Sequence, residues 1–405
     1  MYKAVDLEIC KVSVVAAPTI ARAILVLSMV LLGASTASIA STASTASAGT
    51  PTQGEFLALT YNVAGLPQGI SGGDPTTNSP LISPRLNAYD LVLLQEDWGD
   101  PLGVVPLFFH EEIVAEANHP YRSEPAPAPM GTDLRRFPTG PPLIADGLNR
   151  LSRYPFGTIQ RVMWDTCYGE FAVEAAEAIL GAAGLSGPID DAGLGDTVSG
   201  GAADCGAQKG FSVARTKLAD GIEVDVYNLH GEAGGGPQDE IVRAAGFVQL
   251  ADYIKKNSAG RPVILGGDTN LHTEPVPDNA EDRRVWEKFQ ADTGLSDVCL
   301  VVDCGDDAGA IDKFAFRNGE GIEILPLSHN FERERFTRSD GEPLSDHDPL
   351  AVRFGWRIAG SVEGSDPELP FTGGAGASGI AGLVLLLSAV AALGAMNIGR
   401  VNRRY

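Results

Sequence analysis

The chain is 405 residues long, 44% apolar and 20% charged, a balance typical of globular rather than disordered proteins. Its length allows one large domain or two ordinary ones. The formal net charge of −22 makes the surface repel polyanions at long range, which disfavours tight binding of nucleic acid. This charge does not exclude a nuclease that contacts phosphate through bound cations.

Residues 1–48 have the pattern of a secretory signal peptide. Lys11 and Arg22 supply positive charge, residues 23–32 form a short apolar core, and Ala46-Ser47-Ala48 offers small residues for cleavage. A membrane anchor is the alternative, but the apolar run falls well short of the ~20 residues that span a bilayer. We therefore expect the protein to be secreted.

Residues 49–358 are predicted to form one domain in which strands and helices are mixed. Continuous apolar runs indicate buried strands, an Asp-Gly pair indicates a hairpin turn, and apolar residues at helical spacing indicate helices. In chain order we predict strand 56–63, loop 65–84, strand 90–94, helix 111–118, a proline-rich insertion at 120–145, helix 170–183, hairpin 211–229, helix 238–257, strand 262–265, helix 281–292 and strands 313–317, 322–327 and 350–356. This pattern indicates an α/β fold with mixed sheets.

Four cysteines remain after removal of the signal peptide. An even number of cysteines in an oxidising compartment suggests two disulfides, and four cysteines allow three pairings. Proximity in the sequence favours Cys167–Cys205 and Cys299–Cys304. A zinc site is the alternative, but the spacings lack the paired Cys-x-x-Cys form.

The C-terminus carries three features in order. After a linker at 359–368 come Leu369-Pro370-Phe371-Thr372-Gly373, a Gly/Ala/Leu/Val-rich run at 374–399 that is long enough to form a transmembrane helix, and a tail containing three arginines. A plain membrane anchor is one interpretation. The arrangement at 369–405 resembles an LPxTG-type sorting signal of Gram-positive bacteria. That resemblance implies cleavage by sortase after Thr372, linkage of Thr372 to peptidoglycan, and a location in the cell wall.

Polar residues that an apolar core would not accommodate stand at the ends of five separated strands and at the start of a sixth. Each has an ordinary explanation as a solvated strand end, a turn or a cap. The motifs are Tyr61-Asn62-Val63, Leu94-Gln95-Glu96, Asn228-Leu229-His230, Gly267-Asp268-Thr269-Asn270, Ile311-Asp312-Lys313 and Ser345-Asp346-His347-Asp348-Pro349.

In this order the six motifs resemble the endonuclease/exonuclease/phosphatase superfamily, across roughly residues 56–354. The resemblance implies a four-layer α/β sandwich of two mixed, largely antiparallel sheets flanked by helices, and a metal-dependent phosphoric ester hydrolase. The forms of the Asn62 and His230 motifs are similar to those of the secreted, neutral sphingomyelinase-like branch.

A phosphodiester repels nucleophiles, so hydrolysis needs a divalent cation to neutralise charge on the phosphate and the leaving oxygen. The resemblance implies that Glu96 is the main ligand of Mg²⁺, with Mn²⁺ or Ca²⁺ as alternatives, because hard oxygen donors suit these ions. Asn62 and Asp346 complete the predicted metal set, Asn62 by supporting Glu96 or by binding phosphate and Asp346 as a second ligand of metal or of water. Some members of the superfamily have a further carboxylate two residues after the asparagine, where this chain has Ala64.

The resemblance also implies the catalytic roles. His347 would act as a base oriented by Asp312, and Asp268 would position or deprotonate the attacking water, so the division between His347 and Asp268 is left open. Asn270 would donate to a phosphate oxygen, and His230 would protonate the leaving oxygen or stabilise the pentavalent phosphorus.

The predicted function is therefore a secreted, wall-anchored, Mg²⁺-dependent phosphodiesterase, acting as a monomer on a phospholipid headgroup in the manner of sphingomyelinases. An extracellular nuclease with the same residues is the first alternative, which the acidic charge makes less favoured. A non-catalytic surface adhesin on a hydrolase scaffold is the second alternative, and retention of the complete motif set argues against it.

Overall fold

The structure is a computed structural model that describes residues 51–68, 71, 73–99, 108–127, 144–168, 205 and 207–360. The predicted signal peptide, the helix predicted at 170–183, residues 128–143 of the proline-rich insertion and the C-terminal sorting signal lie outside these residues. No helix within the described ranges is long and apolar enough to cross a membrane.

Two six-stranded sheets lie at the centre of the described structure. The first has the strand order β11-β12-β1-β2-β4-β3 and contains β1 (Gln53–Asn62), β2 (Leu91–Gln95), β3 (Tyr121–Arg122), β4 (Asn149–Ser152), β11 (Ile322–Phe331) and β12 (Leu350–Ile358). The second has the order β5-β6-β7-β8-β10-β9 and contains β5 (Gln160–Met163), β6 (Gly210–Ala219), β7 (Ile222–His230), β8 (Val263–Asp268), β9 (Ser296–Asp297) and β10 (Asp312–Arg317). The β1–β2 and β7–β8 pairs are parallel and the neighbouring pairs are antiparallel, so both sheets are mixed.

Helices cover the outer face of each sheet. On the first sheet, α1 (Pro75–Ile82) and α2 (His110–Val114) contribute to an apolar cluster with β1 and β2. On the second, α3 (Pro237–Asn257) and α4 (Ala280–Thr293) pack Phe247 and Phe289 against Leu265. A third apolar cluster, which includes Phe56 of β1 and Ile264 of β8, fills the space between the sheets. The predicted four-layer α/β sandwich is confirmed.

The alternation of side chains along each strand explains why the central strands are buried on both faces. In β1, Phe56 and Ala58 face the other sheet, whereas Leu59 and Tyr61 face the helices. Both faces of such a strand must be apolar, which produces the continuous apolar runs that the sequence shows.

The prediction of one long loop at 65–84 is wrong, because α1 lies inside it. Asp74 caps this helix by accepting a hydrogen bond from the backbone N–H of Thr77, and Pro75 occupies its first turn. Pro80 inside the helix conceals it from a pattern-based prediction. The helix predicted at 111–118 is shorter than expected and ends at Val114. Both favoured disulfides, Cys167–Cys205 and Cys299–Cys304, are confirmed.

A cluster of amides joins the two sheets through the apolar core. Gln95 Nε2 of β2 donates to Asn228 Oδ1 of β7 at 2.7 Å and to Thr60 Oγ1 at 3.1 Å. Asn228 Nδ2 donates in return to the carbonyls of Leu94 and Asn149, at 2.9 and 3.0 Å. Gln95, Asn228 and Thr60 are completely buried. Because buried polar groups are costly unless paired, this cluster fixes how β2 and β7 face one another.

We expect Asn228→Ala to lower the free energy of unfolding by about 3 kcal/mol, since each buried partner left unpaired costs about 1–3 kcal/mol. Urea denaturation followed by circular dichroism measures the effect. The control is Asn257→Ala, at the exposed end of α3, where a change within about 0.5 kcal/mol is expected. Equal effects of the two substitutions would show that the cluster does not hold the sheets together.

Candidate functional site

The predicted site residues converge because the ends of their strands are in register. Asn62 is paired with Gln95 across the parallel β1–β2 ladder, which places Glu96 one residue beyond. In the second sheet, Asp268 is paired with both His230 and Asp312. The loop that carries His347 leads into β12, whose first residue, Leu350, pairs with Thr60. All these strand ends therefore lie at the same edge of the sandwich.

The backbone is strained where two of the predicted side chains enter the site. Glu96 has a φ of 55° and Asn270 has a φ of 51°, values that are uncommon for residues other than glycine. Such strain persists only where the surrounding structure holds it, and it is concentrated at functional sites. Gly267, just before Asp268, allows β8 to approach β7 closely, since a Cβ there would lie 2.2 Å from the carbonyl oxygen of Leu229.

The amide of Asn62 lies at the centre of the site. Its Nδ2 is 3.1 Å from Glu96 Oε1, 3.1 Å from Asp268 Oδ2 and 3.4 Å from His347 Nε2, while its Oδ1 accepts a hydrogen bond from Ala64 N. One NH₂ group can donate only two hydrogen bonds, so Asn62 serves the two carboxylates and leaves His347 Nε2 facing the site.

His347 and Asp312 form a hydrogen-bonded pair across the two sheets. Nδ1–H of His347 donates to Asp312 Oδ2 at 2.8 Å, and His347 Nε2 lies 3.7 Å from Asp268 Oδ2. Since the carboxylate accepts at Nδ1, the ring presents Nε2 to the space beside Asp268. This is the orientation predicted for a histidine positioned by Asp312.

His230 and Asn270 lie on the other side of Asp268. His230 Nε2 is 3.3 Å from Asp268 Oδ2 and 3.9 Å from Glu96 Oε1, so it faces two carboxylates. The backbone N–H of Asn270 donates to Asp268 Oδ1 at 2.9 Å, and its side-chain amide makes longer contacts of 3.3 Å with Asp268 and with the carbonyl of Gly231. Asp268 thus contacts four of the other predicted site residues.

Asp346 lies at the exposed rim. Its Oδ1 lies 3.2 Å from Ser345 Oγ, and its charge is among the influences that raise the pKa of His347. Ser345 Oγ also lies 2.8 Å from the carbonyl oxygen of Asn62, to which it donates, so it ties the His347 loop to β1. No role was predicted for Ser345, although it stands within the motif that contains Asp346 and His347.

Burial and neighbouring charges shift the pKa values of three site residues in different ways. Burial opposes ionisation of Asp268, but His347 and His230 outweigh it and hold the pKa of Asp268 well below its ordinary value. Burial and the nearby charge of Asp268 raise the pKa of Asp312 to about 6 even though His347 acts to lower it. Burial also opposes charge on His347, yet Asp312 and Asp268 raise its pKa well above 6.5. Asp268 is therefore the ionised acid and His347 has a high affinity for a proton.

The donor set suits a hard divalent cation. Ligand atoms of Asp268, Asp312 and His347 lie within 4.8 Å of one another, and Glu96 lies beside them through Asn62. The second oxygen of Asp312 is buried and has no hydrogen-bond partner in the described residues. Closely placed carboxylates and an orphaned oxygen are what a bound cation would stabilise. The predicted ligands Asn62, Glu96 and Asp346 remain a prediction.

Two features of the site were not predicted. Lys209, buried just before β6, adds positive charge that lowers the pKa of Asp268. Asp97, directly after Glu96, accepts a hydrogen bond from the buried His110 at 2.9 Å. Neither residue was among those singled out at the strand ends. The available signals were the position of Lys209 just before a predicted strand and that of Asp97 directly after Glu96.

The fold should lose stability as pH rises through the titration of His347. A histidine whose pKa is raised on folding stabilises the folded state below 6.5, and the contribution is lost as pH rises through the higher, folded value. In EDTA, we expect the unfolding midpoint to fall above pH 6.5 and His347→Asn to flatten this slope. His272→Asn, at a 59% exposed side chain, should leave the slope unchanged. Equal slopes for the wild type and His347→Asn would contradict the prediction.

No protein-family model matches the chain. It is 30% identical over 323 residues to sphingomyelinases of Mycobacterium tuberculosis and Mycobacterium bovis, an alignment that covers 75% of this chain and 54% of those proteins. The chain thus spans about half the length of these relatives. Solved structures similar to it include beta toxin of Staphylococcus aureus (TM-score 0.46, 14% identity, 73% of this chain and 99% of that one) and sphingomyelinase C of Streptomyces griseocarneus (TM-score 0.44, 16% identity, 74% and 99%). The name of these mycobacterial relatives agrees with the sphingomyelinase-like form of the Asn62 and His230 motifs.

Proposed function

We propose that the protein is a metal-dependent phosphoric ester hydrolase that cleaves phosphodiesters. The observation that carries the proposal is the convergence of Asp268 with Asn62, His230 and His347, with Asp312 behind His347. An ionised carboxylate beside an oriented imidazole is an arrangement that can hold and deprotonate water.

The side chains divide the reaction among themselves. Asp268, held ionised, accepts a hydrogen bond from the attacking water, and His347, aligned by Asp312, takes up the proton that the water loses. His347 accepts this proton in its neutral form, and Asp312 and Asp268, which raise the pKa of His347, stabilise the imidazolium that results. On the other side of Asp268, His230 donates a proton to the leaving oxygen and Asn270 donates a hydrogen bond to a phosphate oxygen.

A divalent cation, Mg²⁺ in our proposal, would be held by the carboxylate of Glu96 with Asp346 as a second ligand, while Asn62 would support Glu96 through the hydrogen bond from its Nδ2. When bound, it neutralises charge on the phosphate and on the leaving oxygen. Glu96 is suited to hold it because its side chain is 19% exposed, in contrast to the 1% exposure of Asp268, and can be reached from solvent.

The proposed substrate is the headgroup phosphodiester of a phospholipid such as sphingomyelin. The similarity to mycobacterial sphingomyelinases supports this substrate, and the net charge of −22 disfavours a polyanionic nucleic acid. We further propose that the protein is exported, cleaved by sortase after Thr372 and attached to peptidoglycan in the cell wall of a Gram-positive bacterium, where it acts as a monomer.

Purified protein should release phosphocholine from sphingomyelin in Mg²⁺ and release none in EDTA. His347→Ala should lower kcat by about 10²–10⁴-fold, the range for loss of a general base. Glu96→Gln should lower activity in a way that excess Mg²⁺ partly restores, because a ligand is lost. His272→Ala serves as the exposed control and should match the wild type.

Phosphatidylinositol and plasmid DNA are tested beside sphingomyelin. Cleavage of DNA alone would contradict the lipid assignment and favour the nuclease. Absence of turnover of all three esters by the wild type would contradict the hydrolase and favour the adhesin.

Anchoring is tested by deletion of residues 369–373 in the producing bacterium. We expect the intact protein to be released from cells only by a muramidase, and the deletion variant to lose its covalent attachment to peptidoglycan. A protein that detergent alone extracts from intact walls would show instead a plain membrane anchor, because no covalent bond would then hold it.

A further inference from the structure

Arg333 joins two loops at the rim of the site. Its Nη1 and Nη2 donate to the two carboxylate oxygens of Asp307 at 3.1 and 2.8 Å, and its Nε donates to Asp348 Oδ2 at 2.5 Å. The guanidinium also lies 4.8 Å from the centre of the Phe331 ring. A planar fork that meets one carboxylate with two bonds holds that carboxylate in a defined direction.

The two loops are those that carry the Asp312–His347 pair. Asp307 lies in the short helix Gly305–Gly309, which leads into Asp312 at the start of β10. Asp348 directly follows His347. The hydrogen bond between His347 and Asp312 joins these two segments within the site. Arg333 joins the same two segments at the exposed rim, through Asp348 and Asp307.

Arg333 is itself held against the His347 loop. The backbone N–H of Glu332 donates to the carbonyl of Pro349 at 2.8 Å, and the Phe331 ring beneath the guanidinium is partly buried against the core between the sheets. The bond to Asp307 is then the outer tie between this loop and the second sheet.

The geometry points to Arg333 as a positioning residue for the Asp312–His347 pair, an inference that rests on the proposed hydrolase function. Arg333 does not contact any of the predicted site residues, and its side chain is 50% exposed. Exposed ion pairs add little to global stability, so its role is to fix the separation of two loops rather than to hold the fold together. A small displacement of a catalytic pair costs rate more than substrate binding.

Arg333→Gln is compared with Arg335→Gln. Arg335 is a matched control because it is 51% exposed and its side chain pairs with Glu332, three residues away in sequence. We expect Arg333→Gln to lower kcat on sphingomyelin by about ten- to a hundredfold with KM within about twofold and an unchanged unfolding midpoint. Asp307→Asn should act similarly, and the double variant Arg333→Gln/Asp307→Asn should be little worse than either single variant. Arg335→Gln should match the wild type.

Hydrogen–deuterium exchange provides a readout that does not depend on turnover. Backbone amides at 345–348 should exchange faster in Arg333→Gln than in Arg335→Gln. Equal exchange in the two variants would overturn the inference, whichever substrate the enzyme uses. A raised KM with unchanged kcat would also overturn it, because Arg333 would then bind substrate. Lack of turnover by the wild type would remove the proposed function, while the exchange result would still decide whether Arg333 fixes the loop.

Discussion

The hydrogen bond between Gln95 and Asn228 is the constraint on which the site depends. It crosses an apolar core where an unpaired amide would be costly, and the carbonyls of Leu94 and Asn149 complete its pairing. A shift of β2 against β7 by one residue would break the whole set. Glu96 follows Gln95, and His230 lies two residues after Asn228 on the same face of β7, so the same bond fixes the height at which both enter the site.

Beyond the Gln95–Asn228 hydrogen bond, at the edge of the sandwich, the site gathers charged side chains that the apolar core does not contain. Asp268, Asp312 and His230 are each at least 95% buried. His347 is basic because the carboxylates of Asp312 and Asp268 both raise its pKa. Proton affinity is thus divided unequally among neighbours, with Asp268 acidic and His347 basic. That division follows from distance, because His347 contacts Asp312 directly while Asp268 is shared by two histidines and Asn62. In the proposed mechanism, this difference lets Asp268 accept a hydrogen bond from the water while His347 accepts its proton.

The sequence predicted the fold class and the strand-end residues because both depend on local patterns. Continuous apolar runs mark buried strands, and an acid or histidine immediately after such a run is conspicuous, as at Glu96 and His230. Arg333 and Lys209 were not found, since their roles arise from contacts made by the folded chain and neither follows a buried run. The helix at Pro75–Ile82 was missed for a different reason, because its N-cap and internal proline resemble loop chemistry.

The strain and orphaned atoms of the site favour an enzyme over an inert scaffold. Glu96 and Asn270 have left-handed backbones, while His230 Nδ1 and one oxygen of Asp312 are buried and have no hydrogen-bond partner among the residues that the structure describes. Each feature costs stability, and a surface adhesin could remove every one of them by substitution without losing its fold. They all lie within one cluster that also places the ionised Asp268 beside the basic ring of His347. Such costs are understandable where a substrate or cation completes the cluster, which is the condition of a hydrolase site.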